Sequence, residues 1–324
     1  MSNSNILVSI VIPVYNVENY IGKTIESVQS QDFQGYEIIL VDDGSADKSG
    51  EICDRYASED TRIKVIHQKN AGVMAARFSG VEASKGNYIA FLDGDDRMPS
   101  TAISSFYKAM VENDVDYVNG SCIDIDIDGN QLSPIEGTGF SGIIDGNRAY
   151  RRFIARNPKG MNLKLYKRDL LLSEPKVKID PKIKNNEDFI FNLLLSSKVN
   201  RVMSIKDVIA QIVIREGSAS RQPYTSDYWT FVLSWLDDNY KKYEIYEEDL
   251  VRYKLPIILY KLIHEGCNVD FSLSCFDNIR KWKYKKEYGI LNLSIFVVRH
   301  PSTILLKMLR FHPKRFFRKI TKRK

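Results

Sequence analysis

The sequence predicts an α/β fold, in which a mostly parallel β-sheet is flanked by helices and is followed by a C-terminal helical region. Residues 6–14 form a nearly continuous apolar run rich in Ile and Val, which is typical of a strand buried on both faces. Residues 18–30 then carry Ile21, Ile25 and Val28 at helical spacing. The same order of strand and helix continues to about residue 120, and such alternation indicates right-handed βαβ units.

Short apolar runs, and the turns that end them, locate the remaining elements of this alternation. The second strand ends in Asp42-Asp43-Gly44-Ser45, a cluster of turn-forming residues that can also cap the helix after it. Strands are predicted at 36–41, 63–66 and 87–92, and helices at 71–84 and around Ile52, Cys53 and Tyr56.

The pattern changes after residue 120. Residues 117–128 alternate apolar and polar side chains and then reach Asp128-Gly129, which predicts a β-hairpin. Residues 137–180 contain several glycines and prolines and are interpreted as mixed loops and short elements. Further elements are predicted as a helix at 187–197, a strand at 201–214 and a separate helical region from about 225 to 290.

The composition is that of an ordinary globular protein. Of the 324 residues, 44% are hydrophobic and 27% are charged, which excludes wholesale disorder. A chain of this length buries most of its unfolded surface, so it needs no disulfide or metal ion for stability. The four cysteines lack CxxC spacing and the four histidines do not cluster. Neither a disulfide framework nor a zinc site is therefore predicted, and a reducing compartment fits this cysteine usage.

The net charge of +6 is distributed unevenly along the chain. Residues 1–287 hold 37 basic and 41 acidic side chains, a net charge of −4, whereas residues 288–324 hold ten basic side chains and no acidic one. Ile304, Leu305 and Met308 share one face of a helical pattern in this tail, which is typical of a segment that lies on an anionic membrane. A basic tail without a partner is the alternative. Nucleic-acid binding is not predicted, because the body is acidic and carries no recognition motif.

These patterns divide the chain into an α/β domain at 1–222, a helical region at 223–298 and a basic amphipathic, membrane-associating tail at 299–324. Residues 1–16 lack the basic start and the cleavage site of a secretory signal. No stretch approaches the roughly 18 apolar residues of a membrane-spanning helix. The expected location is the cytoplasm, with the tail in peripheral contact with the inner face of the cytoplasmic membrane.

Acidic side chains follow two of the predicted strands. Asp42 and Asp43 close the second strand, and Asp93, Asp95 and Asp96 close the strand at 87–92. Parallel sheets bind ligands outside the carboxyl ends of their strands. Oxygen ligands suit Mg²⁺ or Mn²⁺, and a cation held by one or two carboxylates keeps positions free for substrate phosphates. The structural alternative is that these acids only form turns and cap helices.

Other ligand sites are disfavoured by the residues themselves. A dinucleotide site requires a glycine-rich turn after the first strand, but the segment 14–22 has a single glycine, at its end. A Walker A loop is absent, and so is the basic glycine-rich loop of a nucleotidyltransferase. The acids of 124–129 match the first half of an EF-hand loop, but its twelfth position is Ile135 instead of Glu. We assign that segment to the hairpin.

Four motifs in order resemble those of the family 2 glycosyltransferases. They are 10–16 (IVIPVYN), 41–47 (VDDGSAD), 70–77 (NAGVMAAR) and 91–96 (FLDGDD). Further similarity is seen in 162–172 (NLKLYKRDLLL), in 186–191 (NEDFIF), which resembles the family's ED motif, and in Arg215 with Ser218 and Ser220. The resemblance covers roughly 1–220 and implies a GT-A-like (Rossmann-like) catalytic domain.

The resemblance also implies roles for the acids and their neighbours. Asp42, with Asp43, is expected to bind the base and ribose of a nucleotide, Tyr15 to flank the base, and Arg77 to reach the nucleotide. The alternatives are core packing for Tyr15 and a place on a helix flank for Arg77.

The segment 93–95 stands at the position of the family's DXD motif, which implies Asp93 toward the ribose, Asp95 on a Mn²⁺ or Mg²⁺ ion, and Asp96 behind them. Asp188 matches the general base, and Glu187 is the weaker candidate. Both could instead be acids that merely favour the start of a helix. Two residues depart from the family pattern, Phe78 in place of Asn and Asn186 in place of Gly.

The predicted function is therefore an inverting, metal-dependent glycosyltransferase. The expected donor is a nucleotide sugar, with UDP favoured, and the expected acceptor is a saccharide or polyprenyl-linked saccharide in bacterial surface polysaccharide synthesis. The alternative is a catalytically silent protein that binds nucleotide sugars, or serves as a scaffold, on the same fold.

Overall fold

The computed structural model describes residues 6–137, 140–146, 160–215 and 224–245, together with Leu250. The chain divides into two compact units, Met1–Ser220 and Arg221–Lys324. The predicted domain boundary at 222 lies outside the described residues, as do the boundary at 298 and the basic tail, so these stay predictions.

The first part of the chain alternates strand and helix as the sequence predicts. Most of its strands are short apolar runs, and every residue of the second strand, Tyr36–Asp42, is buried. The elements are β1 (Val8–Val14), α1 (Ile21–Gln29), β2 (Tyr36–Asp42), α2 (Ser49–Glu59), β3 (Ile63–His67), α3 (Val73–Ala83), β4 (Tyr88–Phe91) and α4 (Ala102–Asn113). Strands β3, β2, β1 and β4 are neighbours in this order and all run parallel.

The second part completes an eight-stranded sheet in the order β3-β2-β1-β4-β7-β5-β8-β6. Strands β5 and β8 are parallel, whereas β7 is antiparallel to both of its neighbours and β6 is antiparallel to β8. The elements are β5 (Tyr117–Ile125), β6 (Gly142–Asp145), a 3₁₀ turn (Met161–Leu163), β7 (Lys164–Lys167), α5 (Arg168–Leu172), α6 (Glu187–Leu195) and β8 (Arg201–Val213). In the other unit, α7 (Ser226–Asn239) precedes a 3₁₀ turn at Tyr240–Tyr243. The predicted α/β class with a mostly parallel sheet is confirmed.

The predicted hairpin follows β5. The N–H of Asp126 donates to the carbonyl of Asn130 at 3.0 Å, and the N–H of Gly129 donates back to the carbonyl of Asp126 at 3.1 Å. The carboxylate of Asp126 accepts the N–H groups of Asp128 and Asn130 at 3.0 and 2.8 Å. This carboxylate therefore serves the turn itself, which is a common use of Asp in turns.

The turn after β2 is confirmed as well, but its predicted second use as a helix cap is wrong. Helix α2 begins at Ser49, and none of the four residues Asp42-Asp43-Gly44-Ser45 caps it. Asp47 accepts the N–H of Ser49 at 3.0 Å instead. The turn is too far from the helix start, because a capping oxygen must come from the residues immediately before the first turn.

Helices cover both faces of the sheet. One face packs Ile10 and Ile12 of β1 against α1, α2 and α4 in one large apolar cluster. The other face carries α3, which approaches β1 so closely that a Cβ atom on Gly80 would lie 2.3 Å from Val11 Cγ1. Among the described residues, no helix combines the length and the apolar character needed to cross a membrane.

The contact between α3 and β1 gives a stability prediction. Replacing Gly80 by Ala should lower the free energy of unfolding by about 1–3 kcal/mol, because the added methyl group overpacks a core that has no space for it. Gly22→Ala is the matched control: its Cβ would lie 3.4 Å from the Tyr56 hydroxyl, an ordinary contact. Helix propensity alone then predicts a gain of up to about 1 kcal/mol. Urea unfolding measures both, and a stabilised G80A protein would contradict the close approach.

Candidate active site

The predicted acids lie together at the carboxyl edge of the sheet. Val14 at the end of β1 pairs with Asp42 at the end of β2, and the Val14 carbonyl accepts the N–H of Asp43 at 2.9 Å. The loop after β4 crosses the end of β1 so closely that a Cβ on Gly94 would lie 2.9 Å from the Pro13 carbonyl oxygen. Both acid clusters therefore border one rim, as the parallel topology requires.

Asp42 is a buried carboxylate held by two donors. Its Oδ1 accepts the N–H of Ser45 at 3.0 Å, and its Oδ2 lies 2.9 Å from Nδ1 of His67. Burial by itself would raise the pKa of Asp42, but the hydrogen bonds from Ser45 and His67 outweigh it and hold the pKa below its ordinary value. Asp42 is thus ionised at the rim.

The carboxylate of Asp43 accepts three hydrogen bonds from the protein. Its carboxylate accepts the amide of Gln68 at 2.7 Å and the N–H groups of Ala71 and Gly72 at 2.9 and 2.8 Å. These contacts tie the loop that leads into α3 to the end of β2. Its predicted contact with a nucleotide stays a prediction.

Tyr15, by contrast, is 51% exposed, so the alternative of core packing for this ring is wrong.

Arg77 occupies the centre of the site. Its side chain is 2% exposed, with Nη2 at 2.7 Å from Asp93 Oδ1 and Nη1 hydrogen-bonded to Asp188 Oδ1. Burial opposes its charge, but Asp188, Asp93 and Glu187 together raise the pKa of the guanidinium above its ordinary value. The alternative of an exposed helix flank is wrong. Arg77 joins the DXD-like loop to α6, and its predicted contact with the nucleotide stays a prediction.

The three acids of the loop after β4 have three different surroundings. Burial, and then the charges of Asp188 and Asp95, raise the pKa of Asp93 against the opposing effect of Arg77. Asp96 is buried and accepts the N–H of Val213 at 3.0 Å. Burial and its two acidic neighbours raise its pKa well above the ordinary value. Asp96 therefore supports the loop from beneath, where it binds the end of β8.

Asp95 faces a different partner. Both Nε and Nη2 of Arg215 lie 2.7 Å from Asp95 Oδ2, and the same guanidinium stacks 4.9 Å from the centre of the Tyr20 ring. Asp95 keeps a side-chain exposure of 21%. Within the described part of the chain, the contacts of Asp95 with Arg215 are made through Oδ2, which leaves Oδ1 for a ligand at the rim.

Glu187 and Asp188 begin helix α6. The N-cap residue Asn186 has a φ of 66°, a left-handed conformation that Asn tolerates better than most residues, which accounts for Asn where the family often has Gly. The other departure, Phe78, packs its ring 5.7 Å from that of Phe191 in α6. Both departures are thus accommodated by local structure.

Asp188 is fixed from two sides, by Arg77 and by the N–H of Met161 at 3.2 Å. A Cβ on Gly160 would lie 2.9 Å from Asp188 Oδ2, so the chain passes very close to this carboxylate. Burial, and then the charge of Asp188, raise the pKa of Glu187 to about 7. Glu187 is therefore partly protonated at neutral pH.

The residues fit a divalent cation that is shared with a substrate. Within the part of the chain that the structure describes, no group of three His, Cys, Asp or Glu side chains is arranged to hold a metal ion by itself. Asp93 and Asp96 are committed to Arg77 and Val213, which leaves Asp95. One carboxylate together with substrate phosphates is a common way of binding Mg²⁺. The predicted Mn²⁺ or Mg²⁺ stays a prediction.

Several residues of the site were not predicted. Asn162 donates to Asp93 Oδ2 at 3.3 Å, and the Met161 N–H supports Asp188. Both border the stretch 162–172 whose similarity was noted, so this signal could have located them. The roles of His67, Gln68 and Tyr20 have no equivalent signal, because none of these residues belongs to one of the motifs quoted above.

Comparison with known proteins agrees with this geometry. Residues 9–171 match the family model "Glycosyl transferase family 2". GlyG of Streptococcus pneumoniae is 41% identical over 136 residues, which are 41% of this chain and 45% of GlyG. An uncharacterized glycosyltransferase of Haemophilus influenzae is 33% identical over 229 residues, 69% of this chain and 86% of that protein. The chain thus spans less than half the length of GlyG.

Among solved structures, S. aureus TarS 1-349 in complex with UDP-GlcNAc superposes with a TM-score of 0.64 at 18% identity, covering 98% of this chain and 90% of that one. This likeness confirms the predicted GT-A-like fold. The family match and the Haemophilus relative go further, and the chain belongs to glycosyl transferase family 2.

The ion pairs of Arg77 give a second prediction. Replacing Arg77 by Met should lower the free energy of unfolding by about 1–3 kcal/mol at neutral pH, because it leaves two partly buried carboxylates without their counter-ion. The pKa of Asp93, already raised, then rises further, so the folded variant binds more protons than the unfolded chain, and the loss should shrink as the pH falls.

Chemical denaturation at several pH values measures this loss. The control is Arg168→Met, which removes an arginine whose Nε bonds the Ser84 hydroxyl. An equal and pH-independent loss in both variants would contradict the role of Arg77 as a counter-ion.

Proposed function

We propose that this protein is an inverting, metal-dependent glycosyltransferase that transfers a sugar from a UDP-linked donor to a saccharide or polyprenyl-linked saccharide acceptor in bacterial surface polysaccharide synthesis. The observation that carries the proposal is the buried Arg77, which holds Asp93 of the DXD-like loop and Asp188 of α6 at one site. Two acids from distant motifs are thereby kept together at the rim where ligands of such sheets bind.

The donor half of the site is assigned to the β1–β2–β4 edge. Asp42, with Asp43, binds the base and ribose, exposed Tyr15 flanks the base, and Asp93 contacts the ribose. Asp95 would hold the cation, which would supply positive charge beside the donor phosphates. The choice of UDP is supported by TarS, whose structures contain UDP and UDP-GlcNAc.

The chemistry follows from the different roles of the acids. The acceptor hydroxyl is a weak nucleophile and loses its proton to Asp188, which Arg77 and the Met161 N–H hold in position. General base catalysis of this kind contributes about 10²–10⁴ in rate. A divalent cation, when bound, supplies Lewis-acid stabilisation of the negative charge on the departing diphosphate. A single displacement of this kind inverts the anomeric centre of the sugar. Glu187 is the second, weaker candidate for the base.

Asp188→Asn tests this assignment. The variant should bind UDP and donor within a few-fold of wild type but transfer sugar about 10²–10⁴ times more slowly, because the base is lost while the amide oxygen of Asn can still accept the hydrogen bond from Arg77. A donor is first found by screening nucleotide sugars for thermal stabilisation of the protein with Mn²⁺, and turnover is then measured as UDP release. Asp169→Asn, an exposed acid in α5, is the control and should keep wild-type turnover.

Three outcomes would count against the proposal. Equal turnover of wild type and D188N would remove Asp188 as the base. Failure of every nucleotide sugar to stabilise the wild-type protein would reject a nucleotide-sugar enzyme altogether. Binding of a donor without turnover in any protein would favour the catalytically silent alternative.

We also propose that the basic tail holds the enzyme at the inner face of the cytoplasmic membrane. Residues 299–324 contain ten Lys or Arg and no acid. Each basic residue near an anionic surface contributes on the order of 1 kcal/mol, so the tail as a whole can bind reversibly.

Deletion of 299–324 should abolish co-sedimentation with vesicles that contain anionic phospholipid and should leave turnover on a free saccharide unchanged. A full-length variant with the ten basic residues replaced by Gln keeps the apolar side chains and should also be released, because the attraction is electrostatic. Vesicles of neutral lipid are the reference. Sedimentation of the deleted protein at the wild-type level would contradict membrane attachment through the tail.

A further inference from the structure

Two adjacent side chains at the end of β3 each hold one of the two adjacent acids at the end of β2. Asp42 and His67 are paired across these parallel strands, and His67 Nδ1 lies 2.9 Å from Asp42 Oδ2. Gln68, the next residue, donates to Asp43 Oδ1 at 2.7 Å. The end of β3 therefore fixes both acids that border the donor edge.

His67 differs from Gln68 because it has a second partner. Its Nε2 lies 3.0 Å from Oδ1 of Asp54, an exposed residue of α2. An ionised carboxylate only accepts hydrogen bonds. An imidazole between two carboxylates makes both bonds only when both ring nitrogens carry a proton, so this geometry belongs to the imidazolium ion.

The surroundings of His67 favour that ion. It faces Asp42 from β2 and Asp54 from α2, whose hydrogen bonds raise the pKa of His67 above its ordinary value against the opposing effect of burial. Asp47 adds negative charge to the same cluster. Burial, and then the charges of Asp42, Asp54 and Asp47, raise the pKa of Cys53 to about 12, so the thiol stays neutral. A Cβ on Gly50 would lie 2.9 Å from Asp42 Oδ2, which shows how closely α2 approaches this carboxylate, whereas the His67 ring is half exposed.

We propose that His67 is a positioning residue for the donor: as a cation anchored by Asp54, it fixes the orientation of the Asp42 carboxylate toward the nucleotide. The inference rests on the proposed function, in which Asp42 contacts the base and ribose. Neutral imidazole has a single N–H, so one of the two carboxylates then faces a ring lone pair. The neutral ring therefore fixes the Asp42 carboxylate less firmly than the imidazolium ion does. The affinity for the donor then falls as the pH rises through the pKa of His67.

Protonation of His67 also stabilises the folded protein, and this contribution depends on pH in a defined direction. The folded-state pKa of His67 is raised, so its contribution to stability is fully present below the unfolded-state pKa of about 6.5 and is lost as the pH rises through the folded-state value. His67→Gln removes this dependence, because Gln donates a hydrogen bond but does not titrate.

The test is the affinity for UDP with Mg²⁺, measured calorimetrically on the full chain from about pH 6 to about pH 9, on either side of the ordinary imidazole pKa. Wild-type affinity should fall roughly three- to tenfold across this range, as expected for loss of one charge-assisted hydrogen bond. Asp54→Asn should keep wild-type affinity at the acidic end and move the midpoint of the fall to lower pH. His67→Gln should bind more weakly and show only the titration of UDP itself.

Glu51→Gln is the matched control. It removes one negative charge from the exposed face of the same helix, and its pH profile should coincide with that of wild type. NMR of the histidine ring, assigned by the signal missing in H67Q, should give a His67 pKa above about 6.5 that falls in D54N.

The outcomes separate this inference from the function on which it rests. If the wild-type protein binds no UDP at any pH, the proposed function fails and this inference fails with it. If UDP binds but D54N has the wild-type midpoint, or if His67 titrates at or below its ordinary pKa, the positioning role is overturned and the proposed function stands.

Discussion

The buried guanidinium of Arg77 sets the arrangement of the rest of the site. It contacts Asp93, 16 residues along the chain, and Asp188, 111 residues along the chain. Charges removed from water are tolerated only with partners, so α3, the loop after β4 and the start of α6 must meet around this side chain. The position of α6 relative to the sheet is therefore fixed by charge as well as by apolar packing, and the acids reach a common rim.

Within that arrangement, acids of the same chemical type acquire different states. Asp42 is held ionised by two hydrogen bonds, Asp96 is pushed toward protonation by burial, and Glu187 has a pKa of about 7. A site that both binds a polyanion and moves a proton needs carboxyl groups with different pKa values. A carboxylate that binds a cation must stay ionised, whereas a base must be able to take up a proton, and one environment does not serve both. The fold generates them by varying burial and partners along one edge of the sheet.

The sequence is sufficient to predict β1, β2 and β4, because strands buried on both faces are continuous apolar runs that few other structures share. The edge strand β3, with exposed Lys64 and His67, follows from the alternation of strand and helix. The sequence also predicts which acids reach the rim. It does not predict β7, whose four residues are too few for a periodic signal although they pair with two central strands. The partners of Arg77 and His67 depend on side chains that approach only after folding, and no spacing along the chain encodes them.

The place of β7 bears on how the chain is made. In the finished sheet, β4 lies between β1 and β7. Strand β7 begins at Lys164, more than seventy residues after β4 ends at Phe91, so one edge of β4 waits for its partner. At synthesis rates of about 5–20 residues per second, the ribosome needs several seconds to supply it. Throughout that interval the nascent chain exposes the unpaired backbone of a hydrophobic central strand, a surface that invites pairing with other chains. The order of its strands thus lengthens the time for which this edge is open to pairing with other chains.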